Sequence, residues 1–262
     1  MKVRAKKSLG QNFLQDHSVI SRIVDALDLT ADDSVIEIGP GLGALTSQLV
    51  QKAGSVTAIE FDRDMVAELG RTLTDQANLT IINADALTVD LAELVPQGAN
   101  AKLAANLPYN ISTPILQRLI EFRFSFGVMV LMFQKEVVDR ILAPPGSSDR
   151  GFLTVLVENA FDATRLFDVP PEAFMPRPNV QSSVVKLTPK GSVVPAAELG
   201  RLLSVAFRQK RKTIANNLKV DLPNYLEALS AAGIDGGRRA ETLTLEEWAS
   251  LANSISKRTS RT

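Results

Sequence analysis

Short apolar runs alternate with amphipathic stretches from residue 34 to about residue 160, and this alternation constrains the fold more than any other feature of the chain. The apolar runs are SVIEIG, SVTAIEF, LTIIN, AKLAAN and GVMVLMF, and most of the intervening stretches have helical periodicity. Strands that alternate with helices form βαβ units, because two parallel strands need a long crossover connection. The sequence therefore predicts an α/β domain with a doubly wound parallel sheet.

The pattern changes after this region. FLTVLVENA has helical periodicity, and ATRLFDV and SSVVKLT follow as two predicted strands with no helix between them. Two such strands favour an antiparallel pair at one edge of the sheet. The stretch PKGSVVPAAELG has the composition of a linker, and the chain beyond it has helical periodicity. We therefore expect an α/β domain at residues 1–190 and a small all-α domain at residues 191–262.

Composition excludes several kinds of site. The chain has 262 residues and no cysteine, which excludes a disulfide framework, a zinc site with thiolate ligands and a cysteine nucleophile. The most apolar run, FGVMVLMF, is too short to cross a bilayer, and no apolar signal region follows the basic N-terminus. We expect a soluble, cytoplasmic protein with no membrane partner and, since no exposed apolar helix stands out, a monomer.

Positive charge is unevenly distributed along a chain whose net charge is zero. Residues 201–262 contain eleven Lys and Arg against six Asp and Glu. Each basic cluster alone is more typical of a solvated terminus or helix surface, but together they could form one face for a polyanion. The clusters comprise Lys2, Arg4, Lys6 and Lys7, then Arg208, Lys210, Arg211 and Lys212, and finally Lys257, Arg258 and Arg261.

A glycine-rich turn follows the first predicted strand in VIEIGPGLGALT and contains Gly39, Gly41 and Gly43. Glycine suits this place because the backbone must turn sharply and a ligand must approach it closely. Glu60 stands about 21 residues later at the end of the second strand, where a carboxylate can accept hydrogen bonds from both hydroxyls of a ribose. The combination predicts a Rossmann-like site for a cofactor that contains adenosine, and it leaves NAD, FAD and S-adenosylmethionine open.

Asp85 follows the third predicted strand in NADAL, where its carboxylate could accept a hydrogen bond from an adenine amino group. By itself it is equally typical of the N-cap of a helix. The carboxyl ends of parallel strands meet at one edge of a sheet, so Gly39, Glu60 and Asp85 would border the same crevice. That shared position favours cofactor binding.

The tetrapeptide NLPY at residues 106–109 follows the fourth strand and would lie over the same crevice. The N6 amino group of adenine is a poor nucleophile because its lone pair is delocalised into the ring. The Asn106 side chain and the Leu107 main-chain carbonyl could accept its two hydrogens and turn the lone pair toward a methyl donor. Pro108 would fix the turn, and Tyr109 could stack on an extruded base. In isolation the tetrapeptide is more typical of a strand that ends in a proline turn, but in this setting it indicates a catalytic turn.

Seven motifs together resemble the ribosomal RNA adenine dimethyltransferases, and within that family the bacterial enzymes of the small subunit. They are SLGQNFLQD, EIGPGLGALT, IEFDRDM, NADAL, NLPYNIS, FMPRPNVQSS and FRQKRKT, and they span nearly the whole chain. The resemblance implies a seven-stranded domain that uses S-adenosylmethionine, followed by a small helical domain. It also implies transfer of four methyl groups to N6 of two adjacent adenines in a 3′-terminal hairpin of 16S rRNA, within an assembling small ribosomal subunit.

The resemblance also assigns a cofactor-binding role to individual residues. These are Asn12, Leu14, Gly39, Gly41, Glu60, Asp85 and Asn106. Asn12 and Leu14 would cover the cofactor, whereas Gln11 and Phe13 are only plausible neighbours. His17 is the only histidine in the chain, and no neighbouring residue supports a general-base role for it. We therefore expect His17 to be structural.

Further residues would contact the RNA. Phe174 in FMPRPNV would line the target-base side of the site, opposite Tyr109. The cluster in FRQKRKT would hold an rRNA helix through phosphate contacts and shape. Its members are Arg208, Lys210, Arg211 and Lys212.

Three alternatives remain open from the sequence. One related class of enzymes methylates an adenine of the large ribosomal subunit, and another methylates adenines in DNA. DNA enzymes more often carry proline in place of Leu107, so this residue favours RNA. A protein that only binds immature subunits would not need Gly39, Glu60, Asp85 and Asn106, and their presence favours an enzyme.

Overall fold

The computed structural model of the protein describes Lys6 and residues 10–96, 100–108 and 111–259. The chain forms two compact units. The first contains the chain up to Val138 together with Ala163–Pro189. The second contains Asp139–Asp162 together with the chain from Lys190 onward.

Nine strands lie within the described residues, and seven of them form one sheet. The strands are β1 Phe13–Leu14, β2 Asp33–Ile38, β3 Ser55–Glu60, β4 Leu79–Asn83, β5 Asn100–Asn106, β6 Val128–Gln134, β7 Phe161–Val169, β8 Phe174–Met175 and β9 Ser182–Pro189. The order in the large sheet is β4-β3-β2-β5-β6-β9-β7, and β1 pairs with β8 in a separate two-stranded sheet.

Helices connect most of these strands and form the second unit. They are α1 His17–Asp25, α2 Thr46–Lys52, α3 Arg63–Thr72, α4 Ser112–Glu121, α5 Lys135–Ile141, α6 Phe152–Ala160, α7 Ala196–Ala206, α8 Ile214–Leu218, α9 Tyr225–Ala231 and α10 Leu245–Thr259. No helix in the described part of the chain is both long and apolar enough to span a membrane.

The strands β4, β3, β2, β5 and β6 are mutually parallel, which confirms the predicted doubly wound sheet. Glu60 at the end of β3 pairs with Asn83 at the end of β4. Ile38 at the end of β2 pairs with Ala105 of β5, one residue before that strand ends. The carboxyl ends of four neighbouring strands therefore lie at one edge of the sheet, where open α/β sheets bind their ligands.

Near the other edge of the sheet one strand, β9, reverses direction. β9 runs antiparallel to β6. It also runs antiparallel to β7, because the Lys190 N–H donates to the Ala160 carbonyl at 3.0 Å while the Ser183 hydroxyl donates to Asp168 at 2.5 Å. The predicted antiparallel pair at this edge is confirmed.

The central strand β2 has no exposed face. All six of its residues are buried, as expected for a parallel strand that is covered on both sides. Asp33 at its start accepts a hydrogen bond at 3.0 Å from Lys102 of β5, and both side chains are largely buried. This ion pair joins the amino ends of two strands whose carboxyl ends border the ligand-binding edge.

A buried arginine and a buried asparagine connect the two stretches of chain that form the second unit. The Arg150 guanidinium donates to the Leu243 carbonyl at 3.2 Å, and the Asn159 side chain of α6 donates to the Val194 carbonyl at 2.8 Å. α6 therefore groups with the helical unit, whereas the predicted domain at residues 1–190 includes it. The periodicity of its sequence shows that α6 is helical. The same periodicity does not indicate to which unit the helix belongs.

The sequence patterns predicted no separate element at α1, α5, β1 or β8. The two strands have two residues each, which is too short for an alternating pattern to show. The sequence of α1 nevertheless contains a helix signal. Its Asp16 N-cap accepts hydrogen bonds from the Ser18 and Val19 N–H groups, and the buried residues on its inner face recur at helical spacing.

Candidate active site

A cleft of about 250 Å³ opens at the carboxyl ends of β2, β3, β4 and β5. One wall is formed by residues 10–14, which precede and include β1. The cleft brings together all the residues predicted to bind the cofactor and most of those predicted to act on the base. These are Asn12, Leu14, Gly39, Gly41, Glu60, Asp85, Asn106, Leu107, Pro108 and Phe174.

The glycine turn has the conformation that the sequence predicted. Gly39 and Gly41 have φ angles of +70° and +57°, which lie in the left-handed region that favours glycine. A Cβ atom on Gly41 would stand 3.1 Å from the Phe13 ring, so the turn lies directly against the N-terminal wall of the cleft. A Cβ on Gly39 would stand 3.7 Å from the Asn106 carbonyl oxygen. The turn is therefore next to both the cleft wall and the end of β5.

The Glu60 carboxylate is fixed by two backbone donors. The Gly41 N–H donates to Oε2 at 3.1 Å, and the Asp62 N–H donates to Oε1 at 2.8 Å. The residue is 7% exposed. Burial raises the pKa of Glu60, and the hydrogen bonds from Asp62 and Gly41 oppose the rise. Each oxygen of a carboxylate can accept a second hydrogen bond, so the group keeps capacity for hydroxyl donors.

Glu37 is a buried glutamate on β2 that was not among the predicted site residues. It lines the cleft and is 1% exposed, and its Oε2 has no hydrogen-bond partner among the described residues. Burial raises its pKa to about 7, and the nearby Glu60 carboxylate adds to the rise. A carboxylate oxygen without a partner inside a cleft suits a ligand that brings a hydrogen-bond donor or a positive charge. The sequence feature that could have identified Glu37 is an acidic residue within the otherwise apolar run VIEIG.

Asp85 caps a turn and also borders the cleft, where it was predicted to bind the cofactor. Its Oδ1 accepts a hydrogen bond at 2.9 Å from the Leu87 N–H, so the side chain caps the turn that follows β4. The same residue lines the cleft. Capping one oxygen orients the carboxylate and leaves the second oxygen available for a ligand.

The turn after β5 is held at its backbone. The Leu107 N–H donates to the Met132 carbonyl of β6 at 3.2 Å, and the Leu107 side chain is 2% exposed. The Pro108 carbonyl accepts from the Ile111 N–H at 3.3 Å. Asn106 donates through Nδ2 to the Asn12 carbonyl at 3.4 Å. The position of Asn106 is therefore set by β6 on one side and by the N-terminal wall on the other.

Three further predictions, on Tyr109, Phe174 and His17, have different outcomes. Tyr109 lies outside the described residues. Phe174 of β8 borders the cleft and is 4% exposed, and it pairs with Leu14 across the two-stranded sheet. His17 begins α1, is exposed and does not line the cleft.

The second unit presents a basic loop between α7 and α8, which we define as residues 208–212. Arg208, Lys210, Arg211 and Lys212 are all exposed. Arg208 pairs with Asp221 at 2.6 Å. The buried Asn217 side chain donates to the Ala206 and Gln209 carbonyls at 2.8 and 3.2 Å and so fixes the loop. Of the N-terminal basic cluster, only Lys6 lies within the described residues, and Arg261 also lies outside them.

Comparison with known proteins agrees with this geometry. The family model described as ribosomal RNA adenine dimethylase matches residues 2–257. The chain belongs to the ribosomal RNA adenine dimethylase family. The predicted class of enzyme, an rRNA adenine dimethyltransferase that uses S-adenosylmethionine, is thereby confirmed.

Individual members of this family and related structures are similar over nearly their full length. Ribosomal RNA small subunit methyltransferase A of Magnetococcus marinus is 47% identical over 252 residues, which cover 94% of this chain and 90% of the relative. A dimethyladenosine transferase from Plasmodium falciparum superposes with a TM-score of 0.80 at 28% identity and covers 94% and 98% of the two chains. The 23S rRNA methyltransferase ErmE superposes with a TM-score of 0.70 at 26% identity and covers 94% and 100%.

Replacing Glu37 by glutamine should change how stability depends on pH. The pKa of Glu37 is about 7 in the folded protein against an ordinary value of 4.5, so between these values the folded state binds more protons than the unfolded chain. Stability therefore falls as the pH rises through this window, by about 3 kcal/mol in all. We expect E37Q to lose most of that decline in urea unfolding without cofactor, compared at about pH 5 and about pH 8.

The matched control is Glu121→Gln, which neutralises an exposed glutamate on α4. Its pH profile should run parallel to that of the parent. An E37Q profile that also runs parallel to the parent would show that Glu37 does not titrate near neutral pH.

Proposed function

We propose that this protein transfers methyl groups from S-adenosylmethionine to N6 of two adjacent adenines in the 3′-terminal hairpin of small-subunit rRNA and dimethylates each. The observation that carries the proposal is the meeting of Asn106 with the glycine turn and Glu60 at one cleft. One set of groups is suited to hold a nucleoside cofactor, and the other is suited to grip an amino nitrogen beside it.

The cleft residues match the parts of the cofactor. Glu60 would accept the ribose hydroxyls, and Asp85 would accept a hydrogen bond from the adenine amino group. Gly39 and Gly41 would let the methionine end approach the backbone, and the unpartnered Glu37 oxygen fits a cofactor that carries positive charge. Asn12 and Leu14 would cover the cofactor from the N-terminal wall. When bound, S-adenosylmethionine supplies an electrophilic methyl group on a sulfonium centre.

The turn after β5 would prepare the nucleophile. Asn106 through its side-chain oxygen, and Leu107 through its main-chain carbonyl, would accept the two N6 hydrogens of the target adenine. This arrangement favours a tetrahedral nitrogen whose lone pair points at the methyl group. Pro108 would hold the turn, and Tyr109 and Phe174 would contact the base on its two sides. The methylated nitrogen is cationic and releases its proton readily, so no strong base is needed.

The substrate is proposed to be 16S rRNA within an assembling small subunit. Arg208, Lys210, Arg211 and Lys212 would contact its phosphates, and we expect the enzyme to act as a cytoplasmic monomer. The small-subunit relative at 47% identity supports this choice more strongly than ErmE at 26% supports the large subunit.

The proposal is tested by methyl transfer from labelled S-adenosylmethionine to three separate substrates. These are unmethylated small subunits, large subunits and duplex DNA. We expect label only in small-subunit RNA, as dimethyladenosine at two adjacent positions. Label confined to large-subunit RNA or to DNA would overturn the assignment.

Asn106→Ala tests the role of the turn. We expect a loss of transfer of about a hundredfold or more, because one of the two acceptors that orient the amino group is removed. Cofactor binding, measured by calorimetry, should change by less than about tenfold, since the other ligands remain. Asn253→Ala, which truncates an exposed asparagine on α10, is the control and should leave both quantities unchanged. An unimpaired rate in N106A would refute the role.

Neutralising the basic loop tests the RNA contact. The triple variant K210Q/R211Q/K212Q should lower the slope of log affinity against log salt by about 2, because each lost phosphate contact removes roughly 0.7 to 0.9. Arg208→Gln alone should have a smaller effect, since Arg208 already pairs with Asp221. The control K52Q/R71Q/K190Q makes the same charge change elsewhere on the surface. An unchanged slope in the first variant would place the RNA contact elsewhere.

A further inference from the structure

We define the N-terminal segment as residues 10–15, of which residues 10–14 form one wall of the cleft. The segment is attached to the rest of the unit at two places. Its far end is attached through β1, which pairs with β8, and through the Gln15 N–H, which donates to the Ala173 carbonyl at 2.8 Å. Within the described residues, its near end is attached through side chains, because Gln11 donates to Asp62 and Asn106 donates to the Asn12 carbonyl at 3.4 Å. Side-chain bonds of this kind can open without disturbing the sheet.

Asp62 accepts hydrogen bonds from Gln11 of this segment and from Lys6, which precedes the segment in the chain. Its Oδ2 accepts from Gln11 Nε2 at 3.1 Å, and its Oδ1 accepts from Lys6 Nζ at 2.7 Å. Gln11 in turn accepts from the Lys6 backbone N–H at 2.8 Å. The carboxylate is buried, with 3% of its side chain exposed. Burial opposes its ionisation, but the hydrogen bond from Lys6 and its other partners keep the pKa of Asp62 below its ordinary value.

The same residue also contacts the cofactor side of the cleft. The Asp62 N–H donates to Glu60 Oε1 at 2.8 Å, and the Asp62 side chain caps α3 by accepting from the Asp64 N–H at 3.1 Å. Asp62 therefore holds Glu60 with its backbone and the N-terminal segment with its side chain.

We propose that Asp62 is a positioning residue that fastens the N-terminal segment across the bound cofactor and sets the rate at which cofactor and spent product leave. The inference rests on the proposed function in one respect, because repeated transfers to one RNA require the cofactor to be exchanged each time. A Cβ atom on Gly41 would stand 3.1 Å from the Phe13 ring, so the segment lies directly against the glycine turn. A molecule enclosed there leaves only as fast as the segment is released.

The test compares two single variants and their combination. Asp62→Ser keeps a good N-cap for α3 but is too short to reach Gln11 and Lys6. Gln11→Leu removes the Gln11–Asp62 contact from the other side at similar volume and leaves the Lys6–Asp62 contact in place. In each, S-adenosylhomocysteine should leave a preformed complex about tenfold faster when chased with excess S-adenosylmethionine, because a buried hydrogen bond to a charged group contributes about this much. The double variant should also be about tenfold faster.

The double variant distinguishes the proposed fastening role of Asp62 from independent effects of the two side chains. If the two side chains acted independently, for example because Gln11 contacted the cofactor directly, the two effects would multiply to about a hundredfold in the double variant, and the proposal would be overturned. It would equally be overturned by release rates equal to the parent in either single variant. Glu68→Gln, which neutralises another acid of α3 outside this network, should leave the release rate unchanged.

The experiment uses only the protein and the cofactor, without RNA. Faster release in D62S and Q11L therefore supports the fastening role even if the parent were found to methylate a different nucleic acid. Conversely, transfer to small-subunit RNA with unchanged release in both variants would leave the proposed function standing and remove the role of Asp62. Thermal unfolding of each variant without cofactor checks that the fold is kept.

Discussion

The active cleft depends on one constraint, the parallel pairing of four neighbouring strands. Because β4, β3, β2 and β5 run in the same direction, whatever follows each strand emerges at one edge of the sheet. The glycine turn, Glu60, Asp85 and Asn106 lie far apart in sequence, and they meet only for this reason. A strand that ran antiparallel would place the residue at its end at the opposite edge. The strand of this sheet that does reverse, β9, lies between β6 and β7, and no residue of these three strands lines the cleft.

Folding of the cleft carries an electrostatic cost, because it removes two carboxyl groups from water. Glu37 and Glu60 are both buried, and burial raises the pKa of each. Glu60 recovers part of that cost through backbone hydrogen bonds, whereas Glu37 has an oxygen with no partner among the described residues. The site without a ligand therefore holds two acids that a ligand with donors and positive charge would stabilise. Such a site is less stable than a filled core of the same size but is prepared for binding.

Most of this site could be predicted from the sequence because its residues come directly after strands. Strand periodicity locates the ends, and the parallel topology brings them together, so Glu60 and Asp85 follow from pattern alone. Glu37 and Asp62 did not follow, because their importance depends on burial and on contacts with distant residues. The position of α6 in the helical unit was missed for the same reason. It depends on side chains such as Asn159, whose partner lies 35 residues away.

The turn after β5 has to stay fixed for methyl transfer, whereas the N-terminal segment has to move for cofactor exchange. Methyl transfer needs acceptors held at fixed positions, and the Leu107 backbone is bonded to the Met132 carbonyl of a central strand. Cofactor exchange needs a cover that can open, and the near end of the cover is held by side chains on Asp62. Asn106 touches both, because its side chain donates to the Asn12 carbonyl at 3.4 Å, a long hydrogen bond. When the cover opens, this contact is the one that Asn106 loses, while the sheet keeps its backbone in place.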